Sequence, residues 1–157
     1  MLSVLIFVLP LNIFFLHKHL TAREKVLHHI SSSFQELVKN PITQNRSICF
    51  LALPGQWFHE GSAQAIWLYR NDSTYPVFQI DLDIVIPEAL DKNYIEITRE
   101  SNAFIFTSTN PEELYFVTPE NNKGPMAKLT IDPEIQKYNP VYVTWDYYAK
   151  KFIILNN

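Results

Sequence analysis

The apolar positions of this chain fall into three regimes. Residues 1–16, MLSVLIFVLPLNIFFL, carry no charged side chain. From Leu27 on, apolar residues recur at helical spacing: Ile30, Phe34, Leu37 and Val38 share one side. Lys25, His29, Ser32, Gln35 and Glu36 take the other, which predicts an amphipathic helix. Thr21-Ala22-Arg23-Glu24 reads as its capping box, and Asn40-Pro41 ends it. Its apolar face suits a membrane surface, but packing on a following sheet is the preferred reading. Beyond Arg46 the period changes to that of strands.

The run 48–53 is continuously apolar, as expected of a central strand covered on both faces, and Pro54-Gly55 closes it. Ser62 caps a short helix through Ala63, Ile66, Trp67 and Tyr69, ending near Asn71-Asp72. Strand, helix and a further strand in that order predict one βαβ-like unit. Over 77–86 the alternation predicts a single half-buried strand, with Phe78, Ile80, Leu82, Ile84 and Ile86 on one face. Gln79, Asp81 and Asp83 fall on the other. Shorter strands are predicted at 94–99, 103–107, 113–118 and 126–131, with a polar turn over 119–125. A terminal hairpin pairs 141–146 with 151–155. The predicted class is α+β: an apolar and an amphipathic helix, then a small mixed or mainly antiparallel sheet.

The opening run decides the expected location. Sixteen helical residues span about 24 Å, short of a bilayer core of about 30 Å. A cleaved signal peptide lacks a preceding basic residue and a clear cleavage site. A buried element of a soluble domain is the bland alternative. The preferred reading is a transmembrane helix, or its C-terminal part, over 1–19, followed by a single α+β soluble domain over 20–157. Phe14 and Phe15 followed by His17, Lys18 and His19 fit an apolar helix reaching a headgroup zone. The expected partners are then the lipid bilayer and other transmembrane segments. The expected location is the membrane, with the soluble domain extracytoplasmic.

Composition narrows the chemistry. The formal net charge of the 157 residues is -3, which gives no electrostatic basis for binding nucleic acid. The single cysteine, Cys49, lies inside the apolar run and reads as a core residue. It excludes an intrachain disulfide and a cysteine metal cluster. Asn45-Arg46-Ser47 and Asn71-Asp72-Ser73 match the glycosylation acceptor pattern, which bears only on a eukaryotic secretory setting.

Two groups of residues are candidates for chemistry. Asp81 and Asp83 present two carboxylates two positions apart on one strand face, where they can contribute to a Mg²⁺ or Mn²⁺ site. A solvated strand face explains them as simply, so no metal and no other cofactor is assigned. His59, in the loop after the first strand, is the one histidine placed where α/β folds often gather their sites. A general-base role would need a substrate proton within reach. The aromatics Trp57, Phe58, Trp67, Tyr69, Trp145, Tyr147 and Tyr148 can stack on a carbohydrate ligand or pack internally.

One resemblance joins these parts. An apolar helix, an amphipathic helix ending in Asn-Pro, the strand ICFLALP, a short helix ending in WLYRND and the hairpin VTWDYYAKKFIIL follow one another. This order resembles the C-terminal extracytoplasmic region of multispanning, lipid-linked-sugar-dependent membrane glycosyltransferases. The resemblance implies a noncatalytic terminal domain, a fragment inactive alone, because the acidic catalytic residues of such proteins lie among early transmembrane helices. No catalytic residue carries over. The alternatives are a small carbohydrate-active enzyme using His59 with Asp81 or Asp83, and a periplasmic binding module.

Overall fold

A computed structural model describes residues 28–53, 62–80, 82–85, 90–118 and 122–155, with the side chain of Asp83 left out. The first described helix, α1, covers residues 28–39. Its predicted apolar face is the buried one: Ile30, Phe34 and Leu37 lie in the core. The helix ends where Asn-Pro predicts. The amides of Thr43 and Gln44 return to the Asn40 carbonyl, and the Thr43 hydroxyl donates to the carbonyl of Leu37. Two orphan carbonyls of the last turn are thereby satisfied.

Strand β1 (Ile48–Ala52) is buried along its whole length. Helix α2 (Ser62–Arg70) follows, and then β2 (Val77–Gln79), which pairs with β1 in parallel. Strand β9 (Val141–Asp146) pairs in parallel on the other side of β1. Strand β10 (Lys151–Leu155) adds to β9 as the antiparallel partner of the predicted hairpin. The four form a mixed sheet in the order β10-β9-β1-β2.

Among the described residues, two antiparallel sheets hold the other strands. One contains β3 (Asp83–Val85), β6 (Tyr115–Val117) and β7 (Lys123–Gly124). The other contains β4 (Ile95–Glu100), β5 (Ala103–Ser108) and β8 (Met126–Thr130). A one-turn helix, α3 (Pro133–Gln136), precedes β9; the Asp132 carboxylate accepts from the Glu134 amide as its N-cap.

The mixed sheet separates two cores. On one face, Ile48, Phe50, Val143 and Trp145 pack with Ile30, Phe34 and Leu37 of α1 and Ile66 of α2. On the other, Cys49, Leu51 and Tyr142 pack with Phe104, Phe106 and Leu129, and with Phe116 and Leu82. The β1–β9 register shifts between Phe50 and Ala52. Leu51 and Ala52 accordingly both belong to the second core, as a bulge allows by interrupting strict alternation. Covering β1 on both faces explains why its sequence carries no polar position.

Four expectations change. The predicted strand over 77–86 divides into β2 and β3, which belong to different sheets. The Ile80 amide still bonds to the Phe50 carbonyl, but the Leu82 amide turns back to the carbonyl of Ile80. Period-two patterning does not reveal such a break, because both halves bury the same face against one core: Phe78, Ile80 and Ile84 pack against the cluster that contains Leu82. The single predicted sheet becomes three, and part of the predicted 119–125 turn contributes the short β7. The expected transmembrane helix is also corrected. Among the described residues no helix is long and apolar enough to cross a membrane. That finding removes the described chain's case for the lipid bilayer and other transmembrane segments as partners. The run 1–19, on which the expectation rested, lies outside the described residues.

Three turns place asparagine in left-handed backbone, while Ser101 and Lys150 take the same region in two others. Asn45, Asn71 and Asn139 have φ of 54°, 53° and 44°, conformations that asparagine adopts more readily than other side-chain-bearing residues. Ser101, with φ 47°, occupies the two-residue connection between β4 and β5 without that advantage. Ser101→Gly is expected to stabilise the domain by about 1 kcal/mol, read as a shifted urea midpoint at unchanged slope. Destabilisation would show that the serine side chain contributes more than its strained backbone costs.

Candidate ligand cleft at the carboxyl edge of the parallel strands

The carboxyl ends of β1, β2 and β9 lie at one edge of the mixed sheet, as their parallel pairing requires. Several polar groups are fixed there. The Ser62 hydroxyl, at the start of α2, donates to Oε1 of Gln79 at the end of β2 (2.8 Å). The Tyr147 hydroxyl, just past β9, donates to the carbonyl of Leu53, just past β1 (3.0 Å). Asp146 Oδ1 accepts from the amides of Tyr148 and Ala149 at 2.9 and 2.8 Å, holding the β9–β10 turn.

A cleft of about 230 Å³ opens beside this edge, between the mixed sheet and the two antiparallel sheets. Thr144, Ile153 and Leu155 line it from β9 and β10; Ile95, Ile97 and Phe106 face them from β4 and β5, and Ile84 contributes from β3. Asn93 and Asp146 stand among these apolar groups. The Asn93 side-chain oxygen is already engaged by the amide of Ile95 (3.0 Å). The walls exist because strand alternation sends one set of side chains from each sheet into the intersheet layer. Where β3 and β6 give way to β4 and β5, that layer is incompletely filled.

Thr144 is the anomaly in this lining. It is 1% exposed, and its hydroxyl has no hydrogen-bond partner among the described residues. Leaving such a group buried and unpaired costs about 1–3 kcal/mol. A hydroxyl both donates and accepts, so one ligand group of either kind would satisfy it. An apolar cavity of roughly 150 Å³ accommodates benzene, so the cleft is large enough for a somewhat bigger, mainly apolar molecule.

The site residues predicted from sequence are not brought together here. His59 and Asp81 lie outside the described residues, as do Trp57 and Phe58. The backbone of Asp83 belongs to β3, opposite Val117, and its neighbour Ile84 reaches the cleft. Among the described residues no group of three or more His, Cys, Asp or Glu side chains could hold a metal ion. The described aromatics do not form one surface. Trp145 packs edge-on against Phe152, the Trp67 indole donates to the Tyr75 carbonyl, and Tyr148 is exposed. Neither Thr144 nor Ile97 stands out in the sequence. The available signal was a threonine between Val143 and Trp145 in an otherwise apolar strand. Comparison with protein-family models, with curated proteins and with solved structures gives no match for this chain.

Proposed function

We propose that this chain is a noncatalytic binding domain, the extracytoplasmic terminal part of a glycosyltransferase-like protein, whose cleft takes a small apolar ligand bearing one hydrogen-bonding group. The order of elements in the sequence supports its placement in such a protein. The observation that carries the binding function is the buried, unpartnered Thr144 hydroxyl in an aliphatic cleft. The lining favours this ligand class over a sugar, whose several hydroxyls would need more polar partners than Asn93, Thr144 and Asp146 offer.

Methyl NMR with benzyl alcohol and toluene as probes tests the reading. Saturable shifts are expected at the methyls of Ile95, Ile97 and Ile153, with benzyl alcohol bound several-fold more tightly than toluene. Thr144→Val is expected to remove that preference while keeping the fold, because valine preserves the volume and deletes the hydroxyl. Ile97→Trp is expected to abolish the shifts by filling the cleft. Unsaturated shifts, or shifts spread over methyls elsewhere, would overturn the binding role. Equal affinities for the two probes in the unmodified chain would remove the role of Thr144.

A further inference from the structure

A second cavity, of about 320 Å³, lies between the C-terminal ends of α1 and α2, away from the cleft. Lys39, Gln44, Asn45, Arg70 and Asp72 contribute to its walls. Arg70 is the last residue of α2, and its Nη2 donates to the carbonyl of Thr43 in the turn after α1. A cation at a helix C-terminus commonly serves the carbonyls there, and this one bond has that ordinary explanation. The rest of the guanidinium does not. Nε and Nη1 are shielded from solvent and have no hydrogen-bond partner among the described residues. Burial pushes the group below its usual range, and nearby Asp72 and Tyr75 pull it back up. The Asp72 carboxylate is itself turned to local work, accepting from the Thr74 amide (2.8 Å). Arg70 as a whole is half-buried, but two shielded donors left idle are unfavourable unless something accepts from them.

From this geometry we infer that the cavity is a binding site for a small oxyanion, a carboxylate or phosphate group, gripped by Arg70 and assisted by Lys39. A guanidinium presents a planar fork that matches the oxygens of either group, which a spherical halide does not. Two cations face one carboxylate in these walls, so a single negative charge is balanced. Because Nε and Nη1 are shielded from solvent, binding requires the guanidinium to turn toward the cavity. The Gln44 amide, which reaches only a long 3.4 Å bond to the Lys39 carbonyl, is a further donor at the rim.

The experiment is titration of the full chain with sodium acetate, sodium phosphate and sodium chloride at matched ionic strength, following the Arg70 Nε–H resonance. Acetate or phosphate is expected to shift it saturably and chloride is not; which of the two binds identifies the group. Arg70→Lys keeps the charge and removes the fork, and is expected to weaken binding at least fivefold. Asp72→Asn removes the competing carboxylate and is expected to tighten binding several-fold, which a purely structural arginine would not produce. Equal responses to chloride and to both oxyanions would overturn the site, as would full affinity in Arg70→Lys. Should Arg70→Lys fail to fold, Lys39→Gln and Asp72→Asn decide: unchanged affinity in both overturns it.

Discussion

Replacing Phe50 by alanine is expected to destabilise the domain by about 3–5 kcal/mol, the largest loss foreseen for one substitution. Phe50 is fully buried in the middle of β1 and points to the helical side of the mixed sheet. Its ring centroid lies 5.9 Å from that of Phe34 on α1 and 5.3 Å from that of Phe152 on β10. Phe34 and Phe152 also meet each other, at 4.7 Å. The three rings therefore join a helix, the central strand and the edge hairpin, and Trp145 extends the group through Phe152. Truncation removes apolar burial and leaves a cavity that three separate elements would have to move to close. Urea unfolding followed by circular dichroism measures the loss, and the thermal midpoint should fall by roughly 10 °C. The more conservative Phe152→Leu, at a half-buried edge position, should cost distinctly less. A loss below about 1 kcal/mol for Phe50→Ala would mean that α1 does not pack on this sheet as described.

Stability is also expected to fall steeply above pH 9, with Cys49 as a principal cause. Burial pushes its thiol from 9.0 up to about 12. Unfolded chains lose the thiol proton near pH 9, whereas folded chains keep it to about pH 12. Within that window the native state holds more protons than the unfolded state, so rising pH favours unfolding. The stabilisation is fully present below about pH 9 and is lost progressively up to about pH 12, at about 1.4 kcal/mol for each pH unit well inside the window. Tyr142, packed in the same core, is shifted up as well, by burial and then by Cys49, with Arg99 opposing, and it adds to the trend. Cys49→Ala should flatten the alkaline limb measurably, since the small side chain keeps the site apolar. The same burial predicts that a thiol reagent at neutral pH reacts at least about a thousandfold more slowly with the native chain than with the unfolded chain. Fast labelling, or an alkaline limb unchanged by Cys49→Ala, would contradict the buried placement.

Both expectations concern residues whose environment was largely legible beforehand. A run without a polar residue from Ile48 to Leu53, too short for a typical helix and closed by Pro54-Gly55, points to a strand covered on both faces, and it is so covered. The spacing of Ile30, Phe34 and Leu37 specified which face of α1 would be buried. The terminal hairpin, Val141–Asp146 with Lys151–Leu155, was legible because only four residues, Tyr147 to Lys150, separate two strongly apolar runs. The βαβ order anticipated the parallel pairing of β1 with β2. The return of β9 to the other side of β1 was not anticipated, since nothing local specifies a pairing between residues so far apart in the chain.

The candidate sites were far less legible. His59, Asp81 and Asp83 attracted attention because their chemistry is visible in isolation. Thr144 and Arg70 are ordinary residue types in ordinary positions. They become unusual only when their surroundings fail to supply hydrogen bonds, and that failure is a property of several elements at once.

The sequence by itself determined the α+β class, the buried face of α1, the fully covered central strand and the inert setting of Cys49. Each follows from local periodicity and composition, because the burial of a short segment is written in its own side chains. Only the tertiary structure decided that the 77–86 pattern serves two sheets and that β9 flanks β1. It alone placed an incompletely filled layer beside Thr144 and a cavity beside Arg70. Those outcomes depend on long-range pairing and on how neighbouring layers fill space, which no single stretch of sequence encodes.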